Sequence, residues 1–325
     1  MRIIFMGTPE FAVPSLEALI QSGYEVVGVV TQPDRPKGRG QTVVASPIKQ
    51  LAQAHGIPVL QPQKMKSPEL VQALAAWRPD VIVVTAFGRI LPKSILDLPP
   101  GGCVNVHGSL LPRYRGAAPI QWALINGDVE TGITTMLMDE GMDTGAILLQ
   151  RATPIEPDDT AAELGKRLAK VGGDLLVETL EGLANKTITP QEQDHQKATN
   201  APLLTKTDGL INWAQPARDI VNRIRGLSPW PGCYTYLQDQ RLAIWKAKEE
   251  IRAYEPKTEL APGTILEANK NEIRVQTGDG VLSVTEVQPA NKRRIPVKQF
   301  LQGHSLSSGE MFASELPPAS SSSSH

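Results

Sequence analysis

The 325-residue sequence has only two cysteines, Cys103 and Cys233, and they lie too far apart to form a metal-ligand spacing. A reducing cytoplasm is the compartment they suit. No uninterrupted apolar run approaches the ~20 residues that a membrane span needs, so an integral membrane helix is excluded. The start, MRIIFMGTPEF, has one basic residue before Ile3, and its apolar run breaks at residues 7–9. It reads as a strand rather than an export signal. A dominant charge is missing as well: 33 Lys and Arg oppose 34 Asp and Glu. Residues 1–190 carry 17 basic against 19 acidic side chains and residues 191–325 carry 16 against 15, so local patches must hold any polyanionic partner. Two nucleotide signatures are absent too. The first strand-helix turn lacks Gly-x-Gly-x-x-Gly, which disfavours dinucleotide binding, and no Gly-Lys-Ser/Thr occurs, which excludes a Walker loop.

What is present describes a globular chain of two domains. Its length exceeds one ordinary core, and 41% hydrophobic with 21% charged residues leaves no sign of wholesale disorder. RIIFM (2–6), a helix over 11–20 and EVVGVVT (25–31) make a βαβ opening, which predicts a parallel sheet with right-handed crossovers. PDRPKGRGQ (33–41) is longer and more basic than a usual crossover loop. Ser46 with Pro47 starts a helix to about His55, and 68–77 is helical. DVIVVTA (80–86) is a strand of the type buried on both faces. TGITTMLMD from Thr131 and AILLQ are further strands, and a helix capped at 158–160 runs to about Ala184, its leucines forming core rather than a zipper. Residues 190–208 are polar and aperiodic, a linker. CYTYL, RLAIWKA, GTILEA, EIRVQT and VLSVTEV then predict a small β-barrel, and residues 305–325, ending in serines, a disordered tail.

The chemistry concentrates in GGCVNVHGSLLPRYRGAAPIQ (101–121). Alternation along an extended strand puts Asn105, His107 and Ser109 on one face, with Val104 and Val106 pressed into a core on the other. A lone strand histidine is more often a packed residue than a catalyst. Asn at a central strand position, however, serves neither propensity nor packing, and strand carboxyl ends border the ligand crevices of open α/β sheets. Ser109 and His107 do not make a nucleophilic pair: same-face neighbours sit roughly 7 Å apart along a strand, and no third group completes a triad. The acidic, Gly-rich loop DEGMDTG is not a calcium loop either, since counting from Asp139 puts Gln150 where a bidentate Glu is required.

NVHGSLLPRYRGAAPIQ, with MDEGMDTGAIL from Met138, resembles the folate-dependent formyltransferases, whose shared signature is Asn-x-His, SLLP and a distal Asp in a Gly-rich loop. The opening RIIFMGTPEFAVPSL, the loop TQPDRPKGRGQ from Thr31 and RIRGLSPWPGCYTYL from Arg223 resemble the members that act on initiator tRNA. The resemblance extends to about residue 300. It implies an α/β chain with a Rossmann-like, parallel-sheet catalytic domain over 1–189, the linker 190–208 and a β-rich, OB-like tRNA-binding barrel over 209–304. The donor it implies is 10-formyltetrahydrofolate, a co-substrate, and the acceptor is the amino group of methionine on initiator tRNA, with no metal and no membrane partner.

Such a transfer needs hydrogen bonds to an oxyanion at the acyl carbon. The resemblance implies that Asn105 and His107 supply them while Asp143 favours the charged imidazole. It places folate around Ser109, Leu110, Leu111 and Pro112 and against loops 87–92 and 139–145, with Leu111, Ile90 and Leu91 over its ring. It makes Arg35, Lys37 and Arg39 the tRNA contacts of a monomeric protein. The rival reading is a formyltransferase for an amino sugar nucleotide, which shares the catalytic signature and a PWPG second domain but lacks the basic loop. A purine-pathway formyltransferase ends soon after its first domain, and a tRNA-binding module without catalysis has no use for intact Asn105, His107 and Asp143.

Overall fold

The computed structural model describes residues 1–37, 42–250 and 260–315. The chain forms two compact units, one of Met1–Ile120, Glu130–Ile155 and Glu163–Leu203, the other of Gln121–Val129, Glu156–Ala162 and Leu204–His325.

The first unit contains β1 (Arg2–Gly7), α1 (Val13–Gln21), β2 (Glu25–Val30), β3 (Arg35–Lys37), β4 (Thr42–Val44), α2 (Pro47–Ala54), β5 (Val59–Leu60), α3 (Pro68–Ala76), β6 (Val81–Thr85), α4 (Lys93–Leu96) and β7 (Cys103–His107). After α5 (Pro119–Ile125), which runs into the second unit, come β8 (Glu130–Leu137), β9 (Ile147–Pro154) and α6 (Ala161–Ala184). Seven strands form one sheet in the order β5-β2-β1-β6-β7-β8-β9. The first five are parallel, whereas β8 is antiparallel to β7 and β9 to β8. The order reverses between β1 and β6, and the crevice of an open sheet lies beyond the carboxyl ends at such a switch. Those ends here are residues 7–9, 86–92 and 108–112.

Local sequence explains the elements. Every residue of VIVVT in β6 is buried, as a strand covered on both faces requires. Ser46 and Ser67 cap α2 and α3 by accepting the N–H groups of Lys49 and Leu70, each with a proline in the first turn. The opening helix begins later than the periodicity predicts. Phe11 lies in a 3-10 turn, Glu10–Ala12, and Pro14 sits in the first turn of α1, where its missing N–H costs no hydrogen bond. Residues 35–37 of the basic stretch form β3, which pairs antiparallel with β4, Arg35 opposite Val44, because Val43 and Val44 supply β-branched residues for the second strand. The linker stretch is divided. Gln191 pairs with Ile147, and Thr199 and Ala201 bond residues 112–118, so 191–201 lies along the first unit.

The second unit adds α7 (Ala217–Gly226), β10 (Cys233–Leu237), β11 (Gln240–Glu249), β12 (Ile265–Ala268), β13 (Ile273–Gln276), β14 (Val281–Pro289), β15 (Ile295–Pro296) and α8 (Val297–Phe300). Its strands run β10-β11-β14-β13-β12, with β15 on β14. The two-residue β15 is too short to leave a sequence pattern.

The reading of a disordered tail from residue 305 is corrected over residues 305–315. Ile265 N–H donates to Glu310, Phe312 N–H to Gly263 at 2.9 Å and Ala313 N–H to Tyr236 at 2.9 Å. This segment therefore bridges the two outer strands, β12 and β10, and satisfies edges that would otherwise stay unpaired. Phe312 is 1% exposed and stacks on Trp213, centroids 5.4 Å apart. Phe312, the central residue of an MFA triplet inside a polar run, is core material, and composition hid it.

Candidate active site

β7 ends in Val104-Asn105-Val106-His107, all buried, between β6 on one side and β8 on the other. Asn105 and His107 are 8% and 6% exposed. Both meet Asp143, which arrives from the loop between β8 and β9. Asn105 Nδ2 donates to Asp143 Oδ1 over 3.4 Å, and His107 Nδ1 lies 3.6 Å from Asp143 Oδ2. Asp143 Oδ2 also accepts the backbone N–H of Gly116 at 2.8 Å. The other imidazole nitrogen, Nε2, donates to the carbonyl of Tyr114 at 2.9 Å. Sequence reasoning missed Tyr114 and Gly116 as site residues, because both act through the backbone. Glycine at 116 is the one available signal: φ is +121°, and a Cβ would lie 2.7 Å from the carbonyl oxygen of Ala201.

The turn after β7 holds itself and its neighbours. Ser109 is fully buried, and its Oγ donates to the carbonyl of Arg113 at 2.6 Å. Thr134 Oγ1 donates to the Ser109 carbonyl and accepts the Leu111 N–H, while Gln150 Nε2 donates to the Leu111 carbonyl. The Leu111 N–H and carbonyl are thus engaged inside the protein. Leu91 and Leu111, expected over a ligand ring, are 4% and 3% exposed and belong to packed interior. Apolar residues beside a crevice have two possible destinations, and burial took these. Ile90 is 81% exposed, and Met142, next to Asp143, is 65% exposed.

A cavity of about 510 Å³ is walled by Lys93 and Leu96 of α4, by Asp97, and by Met138, Asp139 and Glu140, the last three from the loop that carries Asp143. Its acidic loop is fixed by Asp139 Oδ1, which accepts the N–H of Gly141 and the hydroxyl of Thr144. The facing loop is pinned at Phe87, whose carbonyl accepts from Thr8 Oγ1 and Gln32 Nε2. Lys93 is held above the usual ammonium range by its hydrogen bond to Asp97.

The sequence matches the formyl transferase family over residues 1–180 and the formyl transferase C-terminal domain over residues 203–305. It is 52% identical over 303 residues to the methionyl-tRNA formyltransferase of Desulfotalea psychrophila, covering 93% of each chain. The chain belongs to the methionyl-tRNA formyltransferase family. The member from Caldanaerobacter subterraneus is 51% identical over 311 residues, 95% of this chain and 99% of its own. A crystallised sugar 3N-formyl transferase, solved with dTDP and 5-N-formyl-THF, shares the fold with a TM-score of 0.65 over 90% of this chain and 99% of that one. Its identity is only 18%, so the amino sugar reading has the weaker support.

The basic residues divide. Arg35 is exposed on β3, and the backbone of Lys37 ends that strand. Arg39 lies outside the described residues. Among the described residues, no helix is long and apolar enough to cross a membrane.

Proposed function

We propose that the chain transfers the formyl group of 10-formyltetrahydrofolate to the free amino group of methionine on initiator tRNA, with Asn105, His107 and Asp143 carrying the step. The observation that carries this reading is the convergence of Asn105 and His107 on the one carboxylate of Asp143, in a chain that belongs to this family.

The neutral amine attacks the formyl carbon, the carbonyl electrons move to oxygen, and the C–N10 bond then breaks as N10 gains the proton that the amine loses. Charge develops on the formyl oxygen, so fixed donors aimed there lower the barrier. Asn105 is the first such donor. One Nδ2 hydrogen is turned to Asp143, and the other has no partner among the described residues. His107 donates from Nε2 to the Tyr114 carbonyl and turns Nδ1 to the Asp143 carboxylate 3.6 Å away, which fixes the imidazole beside the oxyanion. Asp143 orients both side chains.

The folate ring takes the cavity beside this centre. Its 2-amino-4-oxopyrimidine edge is rich in donors, and Asp97, Asp139 and Glu140 line the wall it would face. Ile90 and Met142, exposed on the two loops that follow β6 and β8, are the apolar side chains free to fold over it. The basic stretch 33–41 contacts the acceptor end of the tRNA through Arg35, Lys37 and Arg39, local cations being needed where net charge is near zero. The protein works as a monomer in the cytoplasm.

The test is purified protein with 10-formyltetrahydrofolate and either methionyl initiator tRNA or an amino sugar nucleotide. Formylated Met-tRNA supports the reading. Formylated sugar with no tRNA product replaces it.

A further inference from the structure

Gln193 has no part in the steps above, yet its side chain is one of the best-anchored at the site. It comes from the stretch 191–201 and is 5% exposed. Its Nε2 donates to two backbone carbonyls, those of Asp143 at 2.9 Å and Gly145 at 2.7 Å. Its Oε1 accepts from Arg115, from Nε at 3.1 Å and from Nη2 at 2.6 Å. We propose that Gln193 is a positioning residue for formyl transfer, holding the loop of Asp143 so that its carboxylate meets His107 and Asn105. The inference rests on the role given to Asp143 above.

Asp143 needs holding. Its φ is +53°, a left-handed conformation that a non-glycine residue keeps only when its surroundings fix it. One end of the residue is fixed through the carboxylate, which takes the Gly116 N–H. The other is fixed through its carbonyl, which together with that of Gly145 is drawn to a single amide nitrogen. Arg115 and Gly116 are adjacent, so the 112–118 turn and the 143–145 turn are tied twice, once through Asp143 itself and once through Gln193. The side chain must be a carboxamide: two donors face carbonyls and one acceptor faces a guanidinium. Glutamate would turn an oxygen on the two carbonyls, and an apolar residue would leave them unpaired.

A purely structural role makes a different forecast. The backbone of this stretch is anchored without the Gln193 side chain, by the Gln191–Ile147 pair and by the bonds of Thr199 and Ala201 to residues 112–118. Replacing the side chain therefore leaves the segment in place and loosens the Asp143 turn.

The experiment is steady-state kinetics on the full chain with each substrate varied, for Gln193→Met, Gln193→Glu, Asp143→Asn and Gln193→Met with Asp143→Asn. A loosened carboxylate should lower kcat for Gln193→Met and Gln193→Glu by roughly 10- to 100-fold, the scale of a displacement near 1 Å, with both KM values little changed. In the Asp143→Asn background Gln193→Met should cost less than about twofold more, since a residue that acts through another loses its effect when that partner is gone. Wild-type kcat in both Gln193 variants while Asp143→Asn is impaired overturns the inference alone. So does a loss that multiplies fully with that of Asp143→Asn. Wild-type kcat in Asp143→Asn overturns the role of Asp143 and the inference with it. Should Gln193→Met fail to fold, Gln193→Glu, which keeps the Arg115 pair, decides.

Discussion

Asp143 Oδ2 lies 3.6 Å from His107 Nδ1 while accepting the N–H of Gly116 at 2.8 Å, so the carboxylate is aimed at the imidazole by a backbone donor from another loop. Replacing Asn105 or His107 by Ala should lower turnover with the fold intact. The loss for the Asn105 donor should be on the order of 10² to 10³, and for His107 up to roughly 10⁴ if proton handling also fails. Single-turnover formylation of Met-tRNA, with circular dichroism as the control for folding, measures both. Wild-type rates in either variant would remove that residue from the mechanism.

Gly116→Ala should damage the same geometry from the backbone side. A Cβ there lies 2.7 Å from the Ala201 carbonyl oxygen and 3.2 Å from its carbon, and φ is +121°. The turn must shift, and the N–H that aims Asp143 shifts with it, at a cost of about 1 to 3 kcal/mol in strain. Gly23→Ala is the control. It bears an unfavourable φ of +75° with nothing within 4 Å of the added carbon, so it should lose some stability and keep kcat. Equal kcat in the two variants would show that Gly116 is a structural glycine only.

How much the sequence revealed follows from which groups carry the structure. β6 and β7 were legible because buried strands need runs of β-branched residues, and Asn105 stood out because nothing in strand physics asks for it. Tyr114 and Gly116 act through C=O and N–H groups that every residue has, so no residue type announces them. Gln193 sits in an aperiodic polar stretch, where a clamp and a solvated side chain read alike. Leu91, Leu111 and Ile90 are similar letters in similar loops, and packing sent two inward and one outward. The close of the second sheet by residues 310–313 was hidden by the polar residues around Met311 and Phe312.

Neither cysteine should react in the folded protein. Cys103 and Cys233 are buried, and burial pushes each thiol up to about 12. At pH 8 the thiolate is then about one part in 10⁴, and the thiolate is the reactive form. Titration with a chromogenic disulfide should find no thiol in native protein and two after denaturation. Rapid labelling of the native chain would contradict the burial.

The basic stretch 33–41 should read tRNA without touching folate. Arg39→Ala should cost about 1 to 3 kcal/mol in kcat/KM for Met-tRNA if it makes a specific contact, and Lys37→Ala should mainly weaken the salt-dependent part of binding. KM for 10-formyltetrahydrofolate should stay constant in both. Kinetics at two salt concentrations separates these effects, and a parallel loss for both substrates would mean that the basic stretch only covers the crevice.

The closing segment of the second unit should be worth as much as a core strand. Phe312 is 1% exposed, lies on the indole of Trp213 and donates its N–H to Gly263, while Trp213 Nε1 donates to Thr235 Oγ1 at 3.0 Å. Truncating a buried aromatic leaves a cavity that a packed core cannot fill, which costs about 3 to 5 kcal/mol. Phe312→Ala should therefore lower the unfolding midpoint of the second unit sharply, while Phe312→Leu, which keeps most of the volume, should cost less. Met311 is half-exposed in the same segment, so Met311→Ala should change stability little. Denaturant melts of the three variants provide the comparison. If Phe312→Ala unfolds like Met311→Ala, residues 310–313 do not close the sheet.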